Sequence, residues 1–396
     1  MSNKSNRIYS IDIMRGLTLF LMLFVNDLYV PGVPKWLVHT AAQEDGMGLA
    51  DWVFPGFLFM VGLSIPFAFM AREKKGYSGR KLTVHILIRT LSLLLIGIFM
   101  VNLESYNAEL TGMHKYVWAI LVYVCIFLVW NYYPKEHEKA KLFKAFQYAG
   151  IIGLIFLAAL YRSGTSENPG WMTPSWWGIL GLIGWGYFVS AFTYFWLRDR
   201  LYLVAFAWLV FVMLNMLSQN GLLTFLDTLK PIFGVIIDGN VPSIVLAGLF
   251  VGVTLKKYKN NYKTLFSILV PLGLICIIMG FVLRNWFIIS KILGTPSWAM
   301  LCNGISILLF ALLFYLIDIK KWKTWSNVFL PAGQNSLTTY LAPNVLYYLI
   351  WYFELNILIY KQGEIEWLAV TGSLAWALAM VGFAALLAKI GIRLKL

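Results

Sequence analysis

Runs of about 20 apolar residues recur from one end of this 396-residue chain to the other, and that is the length an α-helix needs to cross ~30 Å of hydrocarbon. Apolar residues make up 60% of the sequence and charged residues 13%, more grease than the core of a soluble protein uses. The weaker alternating pattern of a membrane β-barrel is absent. The expected fold is an all-α polytopic membrane protein, a bundle of about 10–12 transmembrane helices. Residues 1–396 are expected to form a single transmembrane domain with no separate soluble domain. Candidate spans fall near 11–30, 52–70, 84–103, 116–133, 146–162, 176–196, 201–218, 241–255, 264–283, 298–318, 328–353 and 367–388.

The net charge of +14 is dispersed over short loops, which argues against nucleic acid and for membrane topology and anionic headgroups. Every second loop is basic, as in AREKKGYSGRKL at 71–82 and KKYKNNYK at 256–263. The positive-inside rule then expects both termini in the cytoplasm and the 27–51 loop on the outer face. Arg284, Asn285 and Lys291 lie on the outer side against this trend, which draws attention to the loop 284–297. MSNKSNRIYS carries no cleavable signal pattern, so the first span is expected to be retained. Cys125, Cys276 and Cys302 all fall in spans; there is no disulfide framework, no CxxC pair and no clustered metal site. Residues 229–255 are interrupted at Asp238, Gly239, Asn240 and Pro242, which suits either a broken helix lining a cavity or an outer loop dipping toward the interface.

Ionisable groups in hydrocarbon cost several kcal/mol and are seldom retained without a use. The first span holds Asp12, Arg15, Asn26 and Asp27, and His39 and Asp51 lie in or beside the loop that joins it to the second. His39 has Glu44, Asp45 and Asp51 close in sequence, and an imidazole is the side chain suited to act as a base or nucleophile; a lone loop histidine is otherwise simply solvated. Asp51 begins the second span, where it can cap the helix and also orient His39. Asn26 can donate to a developing oxyanion or serve as interhelical glue. Asp12 and Arg15 suit an i,i+3 ion pair, unless Arg15 faces a cavity and binds phosphate. Arg72, Lys74, Lys75, Arg80, Lys81 and Arg89 have the same two readings, topology charge or phosphate contacts. His85, His114 and His137 are weaker candidates. The chain has no P-loop, Rossmann fingerprint or HExxH motif.

Taken together, SIDIMRGLTLFLMLFVN, HTA at His39 and LADWVFPGFLFMVGLSI resemble the heparan-α-glucosaminide N-acetyltransferase family of transmembrane acetyltransferases, particularly its short bacterial members. KILGTPSWAMLCNGISILLFALLFYLID and FLPAGQNSLTTYLAPNVLYYL agree with it in order. A Gln-Arg pair common in the family is absent from residues 113–130, and IIDGNVPSIV replaces its acidic-Pro-Glu-Gly segment. The resemblance implies acetyl transfer from cytoplasmic acetyl-CoA to the amine of a glucosamine-type sugar on the other side of the membrane. His39 matches the family's essential histidine, Asn26 the nearby asparagine, and Asp51 the aspartate before the Phe-Pro.

The expected activity is therefore acetyl-CoA-dependent N-acetyl transfer in a bacterial cytoplasmic membrane. His39, Asn26 and Asp51 are its catalytic candidates, Arg15, Arg72, Lys74, Arg80 and Arg89 its coenzyme A contacts, and no metal takes part. Expected partners are acetyl-CoA, an amino-sugar acceptor and membrane lipids, with a homodimer left open and nucleic acid excluded. Two alternatives stand beside it: a transporter or flippase of a sugar or lipid-linked sugar, favoured by the span count and the interruption near Asp238, and an O-acetyltransferase of a surface polysaccharide.

Overall fold

Where no water reaches, every backbone N–H and C=O must find a partner within the protein, and an α-helix does so inside one segment. The computed structural model describes residues 7–29, 33–134, 136, 138–361 and 365–396; His137 lies outside the described residues. The first half forms α1 (Tyr9–Asn26), α2 (Leu49–Glu73), α3 (Gly79–Val101), α4 (Ala108–Thr111), α5 (Lys115–Trp130), α6 (Ala140–Leu160), α7 (Gly178–Leu197) and α8 (Leu201–Gln219). The second half forms α9 (Lys230–Ile237), α10 (Asn240–Tyr258), α11 (Tyr262–Leu283), α12 (Pro296–Leu313), α13 (Leu330–Gln334), α14 (Ser336–Tyr352) and α15 (Glu366–Lys389). Two-residue strands, Ser163–Gly164 and Pro169–Gly170, pair antiparallel in the loop after α6.

Each of the twelve expected spans coincides with a helix. Among the described residues, ten helical segments are long and apolar enough to cross a membrane, and the chain is an integral membrane protein. The remaining two, α5 with 16 residues and α14 with 17, are shorter. One expectation needs correction. The single span 328–353 is in fact a short 3₁₀ turn at Thr324–Val328, then α13, then α14, with Asn335 outside helical geometry between the last two. Pro331 and the close passage of Gly333 against α1 set that division. The interruption at Asp238, left open by the sequence, is a break between two helices: α9 ends at Ile237, the chain turns through Gly239 at φ +70°, and α10 starts at Asn240.

Burial separates inner from outer helices. The apolar window of α2 is 72% buried, whereas those of α6 and α8 are 17% buried. The large apolar side chains exposed on the latter, Ile152 and Ile155 or Phe206 and Leu209, face what would be lipid. α2 crosses α10 at backbone contact: a Cβ on Gly62 would lie 1.8 Å from the Val245 carbonyl oxygen, and one on Gly248 1.9 Å from that of Phe59. Small residues make such crossings possible where no hydrophobic force drives helices together. Phe20, Phe24, Leu28 and Leu37 form a second cluster with Tyr347 and Trp376, joining α1, α14 and α15 beneath the loop that follows α1.

Both ends of the described chain lie on one face. The Tyr9 and Ser10 amides donate to Asp318 at 3.0 and 2.9 Å, and the Leu394 amide donates to Thr338 Oγ1 at 2.9 Å. The loop that carries His39 lies at the opposite ends of α1 and α2. The α1–α2 pair thus connects the two regions where polar residues gather.

Candidate active site

Asp51 sits at the third position of α2, not at its N-cap, and its carboxylate turns back over the helix start. Its Oδ2 accepts from the Gly48 amide at 3.0 Å and from the Thr40 amide and hydroxyl at 3.1 Å each. Its Oδ1 faces His39 Nδ1 at 2.7 Å. The Asp51 side chain is fully buried and that of His39 is 45% exposed. A carboxylate that already accepts from Gly48 and Thr40 offers the ring only an acceptor, so Nδ1 carries the proton. The lone pair is left on Nε2, the nitrogen that can take a proton or attack a carbonyl. Two indoles fix this end of α2 against α12: Trp298 Nε1 donates to the Asp51 carbonyl and Trp52 Nε1 to Ser306 Oγ, both at 3.1 Å.

A second loop closes over the ring. Lys291 Nζ lies 3.2 Å from both imidazole nitrogens. Asp45 ties this loop to the first, accepting from the Ile289 amide and from Arg284 Nε, each at 2.8 Å. The Gly46 amide donates to the Ile289 carbonyl at 3.0 Å, and Ser290 Oγ to the Ala42 carbonyl at 2.8 Å. The Ile289 amide and then Arg284 hold the Asp45 carboxyl below its ordinary range. Burial lowers the Lys291 ammonium pKa, opposed by the charge of Asp51.

Toward the other face, a cavity of about 260 Å³ opens among α1, α2, α3, α7 and α14. Arg15, Arg72 and Arg89 line it together with Phe57, Met22 and Ile179. Along α2 it reaches from Arg72 to Phe57, 15 residues or about 22 Å of helix, and Phe57 is one and two-thirds turns from Asp51. Arg15 Nη1 donates to the Gly333 carbonyl at 3.2 Å, and its Nη2 bonds Ser64 Oγ. Gly16 and Gly333 allow this: a Cβ on either would lie within 1.9 Å of a carbonyl oxygen on the facing segment. The Asp12 carboxylate is 3.6 Å from Arg15 and 2.6 Å from Arg7. Arg72 bonds a carbonyl of its own helix, Ala68, at 3.2 Å. The Arg89 guanidinium lies over the Tyr187 ring at 4.8 Å, with its buried Nε lacking a partner. Among the described residues neither Arg72 nor Arg89 has an ion-pair partner within 4.0 Å. Guanidinium groups left without carboxylates in a concave site suit a phosphorylated ligand.

The sequence candidates divide accordingly. His39 meets Asp51, and Arg15, Arg72 and Arg89 share the cavity. Lys74 and Arg80 are exposed in and beside the turn between α2 and α3, outside the cavity lining. Asn26 ends α1 with an exposed side chain and, among the described residues, no hydrogen bond to His39. Its neighbour Asp27 is the buried group: it accepts from the Tyr347 hydroxyl at 2.6 Å, and burial raises its pKa to about 6. His114 caps α5, accepting from the Tyr116 amide at 3.3 Å, and His85 keeps a buried, unpartnered Nε2 near the arginines. Sequence reasoning did not assign Lys291 or Lys395, which lines the cavity, to the site; for Lys291 the signal was a charge on the outer side against the topology rule.

The comparisons agree with the resemblance carried by the motifs. The family described as Domain of unknown function (DUF5009) matches residues 7–232, more than half of the chain. Heparan-alpha-glucosaminide N-acetyltransferase of Mus musculus is 28% identical over 381 residues, covering 87% of this chain and 54% of that protein. The protein of the same name from Homo sapiens is 38% identical over 96 residues, covering 24% of this chain and 14% of its own length. The chain thus spans about half the length of the mouse relative.

Proposed function

We propose that this chain, which belongs to the family described as Domain of unknown function (DUF5009), is a transmembrane acetyltransferase of a bacterial cytoplasmic membrane. It moves an acetyl group from acetyl-CoA to the amine of a glucosamine-type sugar. The observation that carries this reading is the pairing of one cavity with one imidazole along the same helix. Unpaired guanidinium groups line the cavity toward the termini, and the His39–Asp51 pair stands at the other end of α2. The basic loops favour the termini face as cytoplasmic, the side that holds coenzyme A, and leave His39 facing the acceptor.

The fit to coenzyme A rests on charge and shape. Arg15, Arg72 and Arg89, with Arg89 Nε unpartnered, match the phosphates, and the walls from Met22 to Phe57 match an apolar arm. His39 Nε2 takes the proton of the acceptor amine, or attacks the thioester carbonyl itself, while Asp51 fixes the ring and the proton on Nδ1. Asn26 remains a proposed oxyanion contact through its family match, requiring its exposed side chain to turn toward the substrate. Lys74 and Arg80, outside the cavity, are proposed to meet the ligand at its entrance.

The test is chemical. Purified protein given labelled acetyl-CoA and glucosamine should yield labelled N-acetylglucosamine. Label found only on hydroxyl sugars would replace the amine acceptor with a hydroxyl one, and no transfer to either class would reject the acetyltransferase reading.

A further inference from the structure

We propose that Lys291 is a catalytic residue of this transfer, its ammonium group serving as an oxyanion contact beside His39, in addition to Asn26; the inference rests on the acetyltransferase reading. An ammonium has three N–H donors and no acceptor. With the proton of the imidazole on Nδ1, Lys291 Nζ stands 3.2 Å from Nδ1 and 3.2 Å from Nε2, over the ring edge beside the nitrogen that keeps its lone pair. Among the described residues, the imidazole is the partner to which the Lys291 side chain donates. The cation therefore stands within hydrogen-bond distance of the reacting nitrogen without lying nearer to it than to Nδ1. A thioester carbonyl brought to Nε2 comes within reach of the ammonium's N–H donors.

The charge balance of the step uses this contact. The acceptor amine nitrogen forms a bond to the thioester carbonyl carbon as the carbonyl π pair moves onto oxygen. Lys291 donates a hydrogen bond to that oxygen and keeps its own proton. On collapse the pair returns, the C–S bond breaks with its electrons going to sulfur, and the acceptor amine's proton ends on His39 Nε2. Donors fixed in advance where charge develops are worth more than donors that must be recruited.

The surrounding backbone supplies that fixation. Ile289 and Ser290 are tied to Asp45 and Ala42, and three residues after Lys291 the Gly294 carbonyl accepts from Asn215 at 3.0 Å. Asn215 also donates to the Asp238 carbonyl at 2.9 Å, so the break between α9 and α10 braces the loop that carries Lys291. A lysine that merely topped the ring would need none of this. Burial working against its charge, with Asp51 as counterweight, fits a cation kept there for use.

The experiment compares wild type, Lys291→Met and Lys291→Arg in the same acetyl-transfer assay, with melting temperatures measured alongside. Lys291→Met should lower kcat about 100-fold or more, in line with loss of one oxyanion donor, while KM for acetyl-CoA changes by less than about threefold. The Met variant should melt at or above the wild-type temperature, and Arg should recover about tenfold of the lost rate or more. If Met does not fold, Lys291→Gln takes its place. A folded Met or Gln variant with kcat within about threefold of wild type overturns the assignment, as does an Arg variant no faster than it. A folded wild-type protein that transfers no acetyl group overturns the acetyltransferase reading and this inference with it, so the two failures are told apart by the wild-type rate.

Discussion

The two polar regions joined by α1 and α2 are built on opposite rules. Around His39 the hydrogen-bonding groups find partners inside the protein: the Asp51 carboxylate accepts four contacts and Asp45 accepts two. In the cavity, among the described residues, Arg72 and Arg89 lack carboxylate partners and one buried guanidinium nitrogen has no hydrogen-bond partner. Unsatisfied buried polar groups are costly. The Arg89 nitrogen marks where a group from outside can bind, and the ring held by Asp51 marks a group arranged before any substrate arrives. A ring held in place at one end of the helix pair and guanidinium groups without carboxylates at the other fit the proposed transfer between a charged donor and an acceptor.

Substitutions can break this division. The largest effect should follow from His39→Ala, which lowers acetyl transfer about 100-fold or more while coenzyme A still raises the melting temperature of the detergent-solubilised variant. Loss of that protection would mean that the two ends are one site. Next in size, Arg89→Met should raise KM for acetyl-CoA about tenfold, the scale of one charge-assisted hydrogen bond, with the saturated rate nearly unchanged. A fall in kcat at constant KM would move Arg89 out of donor binding.

Stability sharpens the contrast further. Asp27 is buried beside Tyr347, with its pKa raised from 3.8 to about 6. Between those values the folded protein holds a proton that the unfolded chain has released, so stability falls as pH rises through the window. Wild type should lose about 2–3 kcal/mol between pH 4 and pH 8 that Asp27→Asn does not lose; parallel melting curves would refute it. The smallest effect belongs to Asp45→Asn, which loosens the link between the two outer loops and costs about tenfold or less in kcat. Because Ile289 and Arg284 hold the Asp45 carboxyl low, its contribution is complete above the ordinary aspartate range near pH 4 and fades only as pH falls through the lowered native value. A stability gap between wild type and variant that widened in acid would contradict the link.

The helices were legible because a span needs only length and hydropathy, and the twelve runs needed no tertiary information to be found. The 328–353 segment was misread for the same reason: hydropathy averages across Pro331 and Gly333, whose effect depends on α1 lying against them. His39 and Asp51 are 12 residues apart, within one loop and one helix turn, so their meeting was accessible to local reasoning. Lys291 and His39 are separated by 252 residues, and no local pattern encodes that approach; only the misplaced charge pointed to it. For Asn26 and Asp27 the sequence shows adjacent polar residues, but which of them turns inward depends on Tyr347 and Ser373 from distant helices.

The unbroken course of α2 from Leu49 to Glu73 makes it a ruler as well as a wall. Asp51 and Arg72 lie 21 residues apart on this one helix, about 31 Å along its axis, so on the proposed reading the carrier must supply that reach. On the proposed reading, a thioester whose arm is too short to run the ~22 Å between Arg72 and Phe57 would dock by its phosphates and stall below the imidazole, and carrier length would act as a filter on acyl donors.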